Sequence, residues 1–162
     1  MTGINQADNL IRVSEILLVE DTDTDAKQAE AMLKRLGIKN PVRRLLDGQE
    51  AMYLLTNLAE DPSAMPPSVI FLGLRLPYVT GFEILKWMQD KPVFQKSLKI
   101  VFGTLDDLST IKNVYFLGAN SFLNKPITPQ ELCEVVESFP QYWLIDDSRQ
   151  RSKASQRYNA TL

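Results

Sequence analysis

The chain has 162 residues, 44% of them apolar and 23% charged, which indicates one soluble globular domain with room for a buried core. A net charge of −2 argues against a surface that binds nucleic acid, and no apolar run reaches the ~20 residues that cross a bilayer. The absence of histidine excludes histidine bases, histidine metal ligands and phosphohistidine transfer within this chain, and the single cysteine, Cys133, favours a reducing cytoplasm.

Five apolar strand patterns alternate with five amphipathic helical patterns, which predicts a parallel sheet covered by helices on both faces. The strands are predicted at residues 15–19, 42–46, 69–73, 99–102 and 121–123. The helices are predicted over about 24–36, over about 49–59, after Gly81, after Asp106 or Asp107, and after the capping-box sequence that starts at Thr128. Gly37 lies where a left-handed helix C-cap is expected.

The two ends of the chain differ in composition from the part between them. Residues 12–145 carry the strand and helix patterns and are interpreted as one domain, preceded by a leader at 1–11. Residues 146–162 are interpreted as a basic tail, predicted to be solvated and disordered, because no acidic residue follows Asp147. The weaker alternative for this tail is a contact with nucleic acid or with an acidic partner.

Three segments together resemble the receiver domain of two-component response regulators, the CheY-like family. They are residues 16–25 (ILLVEDTDTD), 69–85 (VIFLGLRLPYVTGFEIL) and 117–128 (LGANSFLNKPIT). The resemblance is strongest to the stand-alone kind, which includes partners of cyanobacterial phytochromes. It implies a flavodoxin-like, doubly wound α/β fold with five parallel strands in the order 2-1-3-4-5 and five helices. It also implies a functional site at the carboxyl ends of the first and third strands.

The resemblance implies roles for individual positions in that site. Glu20 and Asp21 match the acidic pair that holds a divalent cation, and Lys125 matches the lysine that contacts the phosphoryl oxygens. Gly73 falls at the phosphoacceptor aspartate, and Gly103 falls at the threonine or serine that follows the phosphoryl group. Two of the four chemical positions lack their functional side chains, so we expect a vestigial site with no catalytic residue.

Four further residues belong to this vestigial site. Thr104 lies next to the position that lacks its hydroxyl residue, and the peptide bond before Pro126 is often cis in the family. Phe122 matches an aromatic residue that moves between buried and exposed states, and here we expect its ring to stay buried. Arg75 stands where the family donates a metal-binding backbone carbonyl.

The surviving charged residues have alternative interpretations. Glu20 and Asp21 are interpreted either as a weak Mg²⁺ site or, preferably, as partners of Lys125 or caps of the first helix. The pairing with Lys125 would hold the site shut. Arg75 is interpreted either as an exposed loop residue or as a guanidinium that bridges to Glu20 or Asp21.

The absence of the nucleophile predicts a pseudo-receiver, which binds protein partners without phosphorylation. We expect it to be cytoplasmic, to have no enzymatic activity and to need no cofactor. The expected partner is a sensor kinase, another signalling protein, or a second copy bound through residues 106–143; neither membrane nor nucleic acid is expected. Tyr142 and Trp143 belong either to that dimer surface or to packing of the chain end. The alternative functions are phosphorelay at another acid, such as Asp21 or Asp47, and small-molecule binding in the strand-tip crevice.

Overall fold

A five-stranded parallel sheet forms the centre of the computed structural model, which describes residues 15–104 and 107–146. The strands are β1 (Ile16–Val19), β2 (Val42–Leu45), β3 (Val69–Gly73), β4 (Leu98–Gly103) and β5 (Ser121–Asn124). Their spatial order is β2-β1-β3-β4-β5. The α-helices are α1 (Asp23–Arg35), α2 (Gly48–Glu60), α3 (Gly81–Met88), α4 (Leu108–Phe116) and α5 (Pro129–Ser138). The predicted flavodoxin-like fold and its strand order are confirmed.

Alternate residues of the central strands enter two hydrophobic clusters, one on each face of the sheet. Ile16 and Leu18 of β1 belong to the cluster under α1 and α5, whereas Leu17 and Val19 belong to the cluster under α2, α3 and α4. β1, β3 and β4 are buried along their whole length. Their continuous apolar runs therefore reflect helices on both faces rather than one face in water.

Polar caps and a glycine set the ends of the helices. The residues whose side chains accept the N–H of the third helical residue are Asp47, Thr80, Asp107 and Thr128. Gly37 adopts a φ of 82°, and the Ile38 N–H donates to the Leu33 carbonyl, which closes α1 as predicted. Of the two caps predicted for α4, Asp107 fills that role, and Asp106 lies outside the described residues.

Residues 142–146, the C-terminal strap, pack across the amino edge of the sheet. Trp143 is 6% exposed, and its ring centroid lies 6.3 Å from that of Phe71. Asn40, itself 6% exposed, donates to a strap carbonyl at 3.1 Å and accepts from a strap N–H at 2.7 Å. The structure therefore favours packing of the chain end, because a buried Trp143 is not available to a dimer surface.

The described residues cover most of the domain predicted at 12–145. Within them, no helix is long and apolar enough to cross a membrane. A short 3₁₀ helix at Pro92–Phe94, which the sequence did not predict, leads into β4. The leader predicted at 1–11 and the tail predicted at 146–162, apart from Asp146, lie outside the described residues.

Candidate functional site

The carboxyl edge of the sheet brings the main predicted site residues together. Because β1, β3 and β4 are parallel and adjacent, Glu20, Gly73 and Gly103 lie at neighbouring strand ends. A Cβ atom built on Gly73 would lie 3.0 Å from the Glu20 Oε2 atom. Lys125 follows β5 and reaches the same carboxylate. The four positions that the resemblance assigned to chemistry thus share one site.

The Lys125 ammonium lies at the centre of the charged groups in this site. Its Nζ atom lies 3.0 Å from Glu20 Oε2, 2.9 Å from Asp25 Oδ2 and 5.1 Å from the centroid of the Phe102 ring. Burial disfavours the ammonium, but hydrogen bonds to Asp25 and Glu20 and their negative charges outweigh it and hold the pKa of Lys125 above its usual value. The predicted pairing of Lys125 with Glu20 is confirmed.

Glu20 is held on both sides of its carboxylate and at its backbone. The residue is 1% exposed, and its Oε1 atom accepts the Thr22 N–H at 3.1 Å while Oε2 binds Lys125. Arg44 of β2 donates to the Glu20 carbonyl at 3.0 and 3.2 Å and to Asp23 Oδ1 at 2.7 Å. The hydrogen bond from Thr22 and the ion pair with Lys125 offset the cost of burying the Glu20 carboxylate, since an unpaired buried charge is strongly destabilising.

Asp25 and Arg44 contribute to the site although the sequence did not single them out. Asp25 lies in the first turn of α1, and its only signal was the acidic stretch at 21–25. Arg44 had no signal in the sequence, because its role depends on β2 pairing with β1 so that Arg44 lies opposite Leu18. Tertiary placement therefore adds two charged residues to the set that the resemblance implies.

The residues at this edge do not fit a divalent cation. Mg²⁺ prefers about six oxygen ligands in octahedral geometry. Both oxygens of Glu20 are already engaged, the side chain of Asp21 is exposed, and Gly73 offers no carboxylate. Across residues 15–104 and 107–146, no group of three or more acidic or cysteine side chains is arranged to hold a metal ion. The geometry favours ion pairing over the weak Mg²⁺ site.

Apolar side chains fill the space beside both glycines. A Cβ atom on Gly73 would lie 3.0 Å from Leu76 Cδ2, and a Cβ atom on Gly103 would lie 2.8 Å from Leu74 Cβ. Leu74 and Leu76 are both buried. A larger residue at either glycine would require its neighbours to shift, so the local packing matches the two glycines.

The remaining charged and polar site residues lie at the rim. Arg75 and Thr104 are exposed in the loops after β3 and β4. A guanidinium bridge from Arg75 to Glu20 or Asp21 stays a prediction. The peptide bond before Pro126 is cis, and Pro126 itself is exposed.

Phe122 is half-buried, whereas the sequence analysis predicted a buried ring. Its ring packs against the cluster under α2, α3 and α4, yet it also lines an open groove with Tyr115 and Phe139. The Phe122 N–H donates to the Tyr115 hydroxyl at 3.2 Å. The ring keeps an exposed side because β5 is the outermost strand of the sheet.

Comparison with known proteins places this site within a recognised domain. The sequence profile of the response regulator receiver domain matches residues 16–137. The probable methanogenesis regulatory protein FilR2 of Methanothrix harundinacea is 32% identical over 129 residues, which cover 80% of this chain and 83% of that protein. Response regulator Rcp1 of Synechocystis sp. is 30% identical over 129 residues, which cover 80% and 88%.

A solved structure shows similarity over nearly the whole chain. The bacteriophytochrome response regulator RtBRR superposes with a TM-score of 0.71 at 26% identity, covering 91% of this chain and 92% of that one. The residues that the family profile matches include every strand end that contributes to the carboxyl edge.

Proposed function

The chain belongs to the response regulator receiver family of two-component signalling, and from that premise we propose that it is a pseudo-receiver, which binds its partners without aspartyl phosphorylation. The observation that carries the proposal is Gly73, which ends β3 beside the ion pair of Glu20 and Lys125. Glycine supplies no nucleophile for phosphoryl transfer. Lys125 instead binds carboxylates of its own chain.

Exposed apolar side chains on α4 support output through protein contacts. Leu108 and Phe116 are 76% and 80% exposed, and Tyr115 and Phe122 line the groove formed with β5 and α5. Aromatic side chains of this kind anchor protein interfaces. A sensor kinase, another signalling protein or a second copy of the chain is the partner proposed for this surface, in a reducing cytoplasm.

A pull-down that compares phosphodonor conditions tests the proposal. Immobilised wild type should capture its partner equally with and without acetyl phosphate and Mg²⁺. Gly73→Asp, combined with Leu76→Ala to make room for the new side chain, should make capture depend on the donor. Asn57→Asp adds a carboxylate on an exposed part of α2 and serves as the matched control. Capture by the wild type only in the presence of donor would contradict the proposal.

Phosphorelay at another acid is the alternative, and Asp21 is its best candidate because its side chain is exposed at the carboxyl edge. Asp47 is less suited, since its carboxylate accepts the Glu50 N–H at 2.8 Å and caps α2. Peptide mapping after incubation with acetyl phosphate would locate a phosphoryl group on the peptide that contains Asp21 if this alternative is correct.

A further inference from the structure

One ammonium, from the segment after β5, binds two carboxylates that lie near the end of β1 and the start of α1, early in the chain. Glu20 follows β1, Asp25 lies in the first turn of α1, and Lys125 follows β5. The Lys125 Nζ atom lies within 3.0 Å of a carboxylate oxygen from each of the two acids. A divalent cation that bridges carboxylates has the same effect, since it neutralises their charge and fixes their positions.

Burial of Glu20 and partial burial of Lys125 and Asp25 strengthen this interaction. Glu20 is fully enclosed, and the Lys125 side chain is 23% exposed, so solvent and salt screen the attraction only weakly. The Phe102 ring lies beside the ammonium and adds a cation–π contact. A metal ion entering here would have to displace the ammonium from Glu20 and Asp25.

We propose that Lys125 is the resident cation of this site, meaning that its ammonium takes the place of the divalent ion and holds the carboxyl edge in one arrangement without metal. This inference rests on the proposed function, because it explains how a receiver with glycine at residue 73 keeps a fixed signalling surface. It also explains how Glu20, Asp25 and Lys125 neutralise one another's charges in a site that lacks the phosphoacceptor.

The same ammonium ties together the two walls of a neighbouring groove. One wall comes from α1 and the other from the segment that follows Lys125. The lining residues include Gln28, Ala31 and Met32 on α1 and Pro126, Ile127 and Pro129 on the opposite side. Because Asp25 precedes the first wall and Lys125 precedes the second, their contact fixes the spacing of the walls.

Titration with Mn²⁺, followed by electron paramagnetic resonance, tests the inference directly. Wild type should show no saturable binding in the millimolar range, and it should unfold at the same temperature with and without the metal. Lys125→Met keeps much of the side-chain volume but frees Glu20 and Asp25, so it should bind Mn²⁺ at least about tenfold more tightly and be stabilised by it. Lys125→Arg keeps the positive charge and should behave like the wild type.

Lys39→Met removes an exposed lysine that lies 4.0 Å from the Asp146 carboxylate, and it is the matched control that should leave Mn²⁺ binding unchanged. Equal Mn²⁺ affinity in the wild type and in Lys125→Met would overturn the inference. If Lys125→Met does not fold, the wild type decides the matter. Saturable Mn²⁺ binding by the wild type that is lost in Asp25→Asn would overturn the inference. A wild type that shows no saturable Mn²⁺ binding would support it.

These outcomes are separable from the test of the proposed function. If the wild type binds Mn²⁺ but accepts no phosphoryl group, the inference about Lys125 is wrong, whereas the proposed pseudo-receiver function still stands. A phosphoryl adduct on the wild type would contradict the proposed pseudo-receiver function, whatever the result with Mn²⁺.

Discussion

Each edge of the sheet holds a lysine, buried at the amino edge and partly buried at the carboxyl edge, and the surroundings of the two lysines are opposite. At the amino edge, Lys99 donates to the carbonyls of Phe94 and Ser97 at 2.7 and 3.1 Å, and burial lowers its pKa. At the carboxyl edge, Lys125 binds the carboxylates of Glu20 and Asp25, which hold its pKa above the usual value despite burial.

This difference indicates that the amino edge serves mainly to stabilise the fold, whereas the carboxyl edge carries the candidate functional site. The amino edge is closed by packing and by hydrogen bonds to the backbone, with the C-terminal strap laid across it. The carboxyl edge depends on a balance of charges among Glu20, Asp25 and Lys125, beside Gly73. Substitutions at the amino edge should therefore change stability alone, whereas substitutions at the carboxyl edge should also change ion binding.

The largest expected effect is at the amino edge. Trp143→Ala should lower the free energy of unfolding by about 3–5 kcal/mol, because the ring is buried against Phe71 and its removal leaves a cavity. Urea unfolding measures this loss. Tyr53→Ala removes an exposed ring from α2 and should change the free energy by less than about 0.5 kcal/mol. Equal effects from the two variants would show that the strap does not contribute to the core.

Lys125→Met should lower the free energy of unfolding by about 3 kcal/mol, because it leaves the Glu20 carboxylate buried without its cation. Adding Glu20→Gln removes that unpaired charge, so the double variant should be more stable than Lys125→Met alone. Thermal or urea unfolding of the three proteins completes the comparison. A double variant that is less stable than the single one would show that charge pairing is not what matters here.

Asn40→Ala should lower the free energy of unfolding by about 2 kcal/mol, since the Leu144 N–H loses its partner and the Tyr142 carbonyl keeps only the Ser68 hydroxyl. Hydrogen exchange of the strap amides should accelerate in parallel. Asn57→Ala, at an exposed position of α2, is the control and should leave both measurements near those of the wild type. Unchanged exchange of the strap amides in Asn40→Ala would contradict the role given to Asn40.

The smallest expected effect is an opposite dependence on alkaline pH. The pKa of Lys125 lies above the ordinary value of 10.5, so its stabilisation is complete below that value and is lost as the pH rises through the folded-state pKa. The pKa of Lys99 lies below 10.5, so the unfolded chain holds more protons between the two values and the stability of the folded protein rises with pH in that window.

Unfolding free energies measured from about pH 8 to about pH 11 check both signs. The advantage of the wild type over Lys125→Met should shrink at the alkaline end. The wild type should gain relative to Lys99→Met as the pH approaches 10.5. If the difference in unfolding free energy between wild type and variant changes with pH in the same direction for both lysines, the two edges do not differ electrostatically as described.

The fold could be predicted from the sequence because its signals are local. Apolar runs gave β1, β3 and β4, a capping box gave the start of α5, and Gly37 gave the end of α1. Each signal acts within a few residues, so it does not depend on the rest of the molecule. The strand boundaries and those of α1 and α2 differ from the predicted ones by at most one residue.

The site could be predicted only in part, because its contacts join distant segments. Resemblance brought Glu20, Gly73, Gly103 and Lys125 together, but Asp25 acquires its role only when α1 packs beside the end of β5. The exposure of the Phe122 ring and the burial of Lys99 likewise depend on neighbours that no local pattern specifies.

Intact-mass analysis of the wild type after incubation with acetyl phosphate and Mg²⁺ tests the central claim most directly. A receiver domain that has its phosphoacceptor aspartate, treated in the same way, confirms that the donor is active. We predict that the mass of the wild type stays unchanged, because Gly73 offers no nucleophile and Lys125 is bound to Glu20 and Asp25. A single phosphoryl adduct on the wild type would contradict the account.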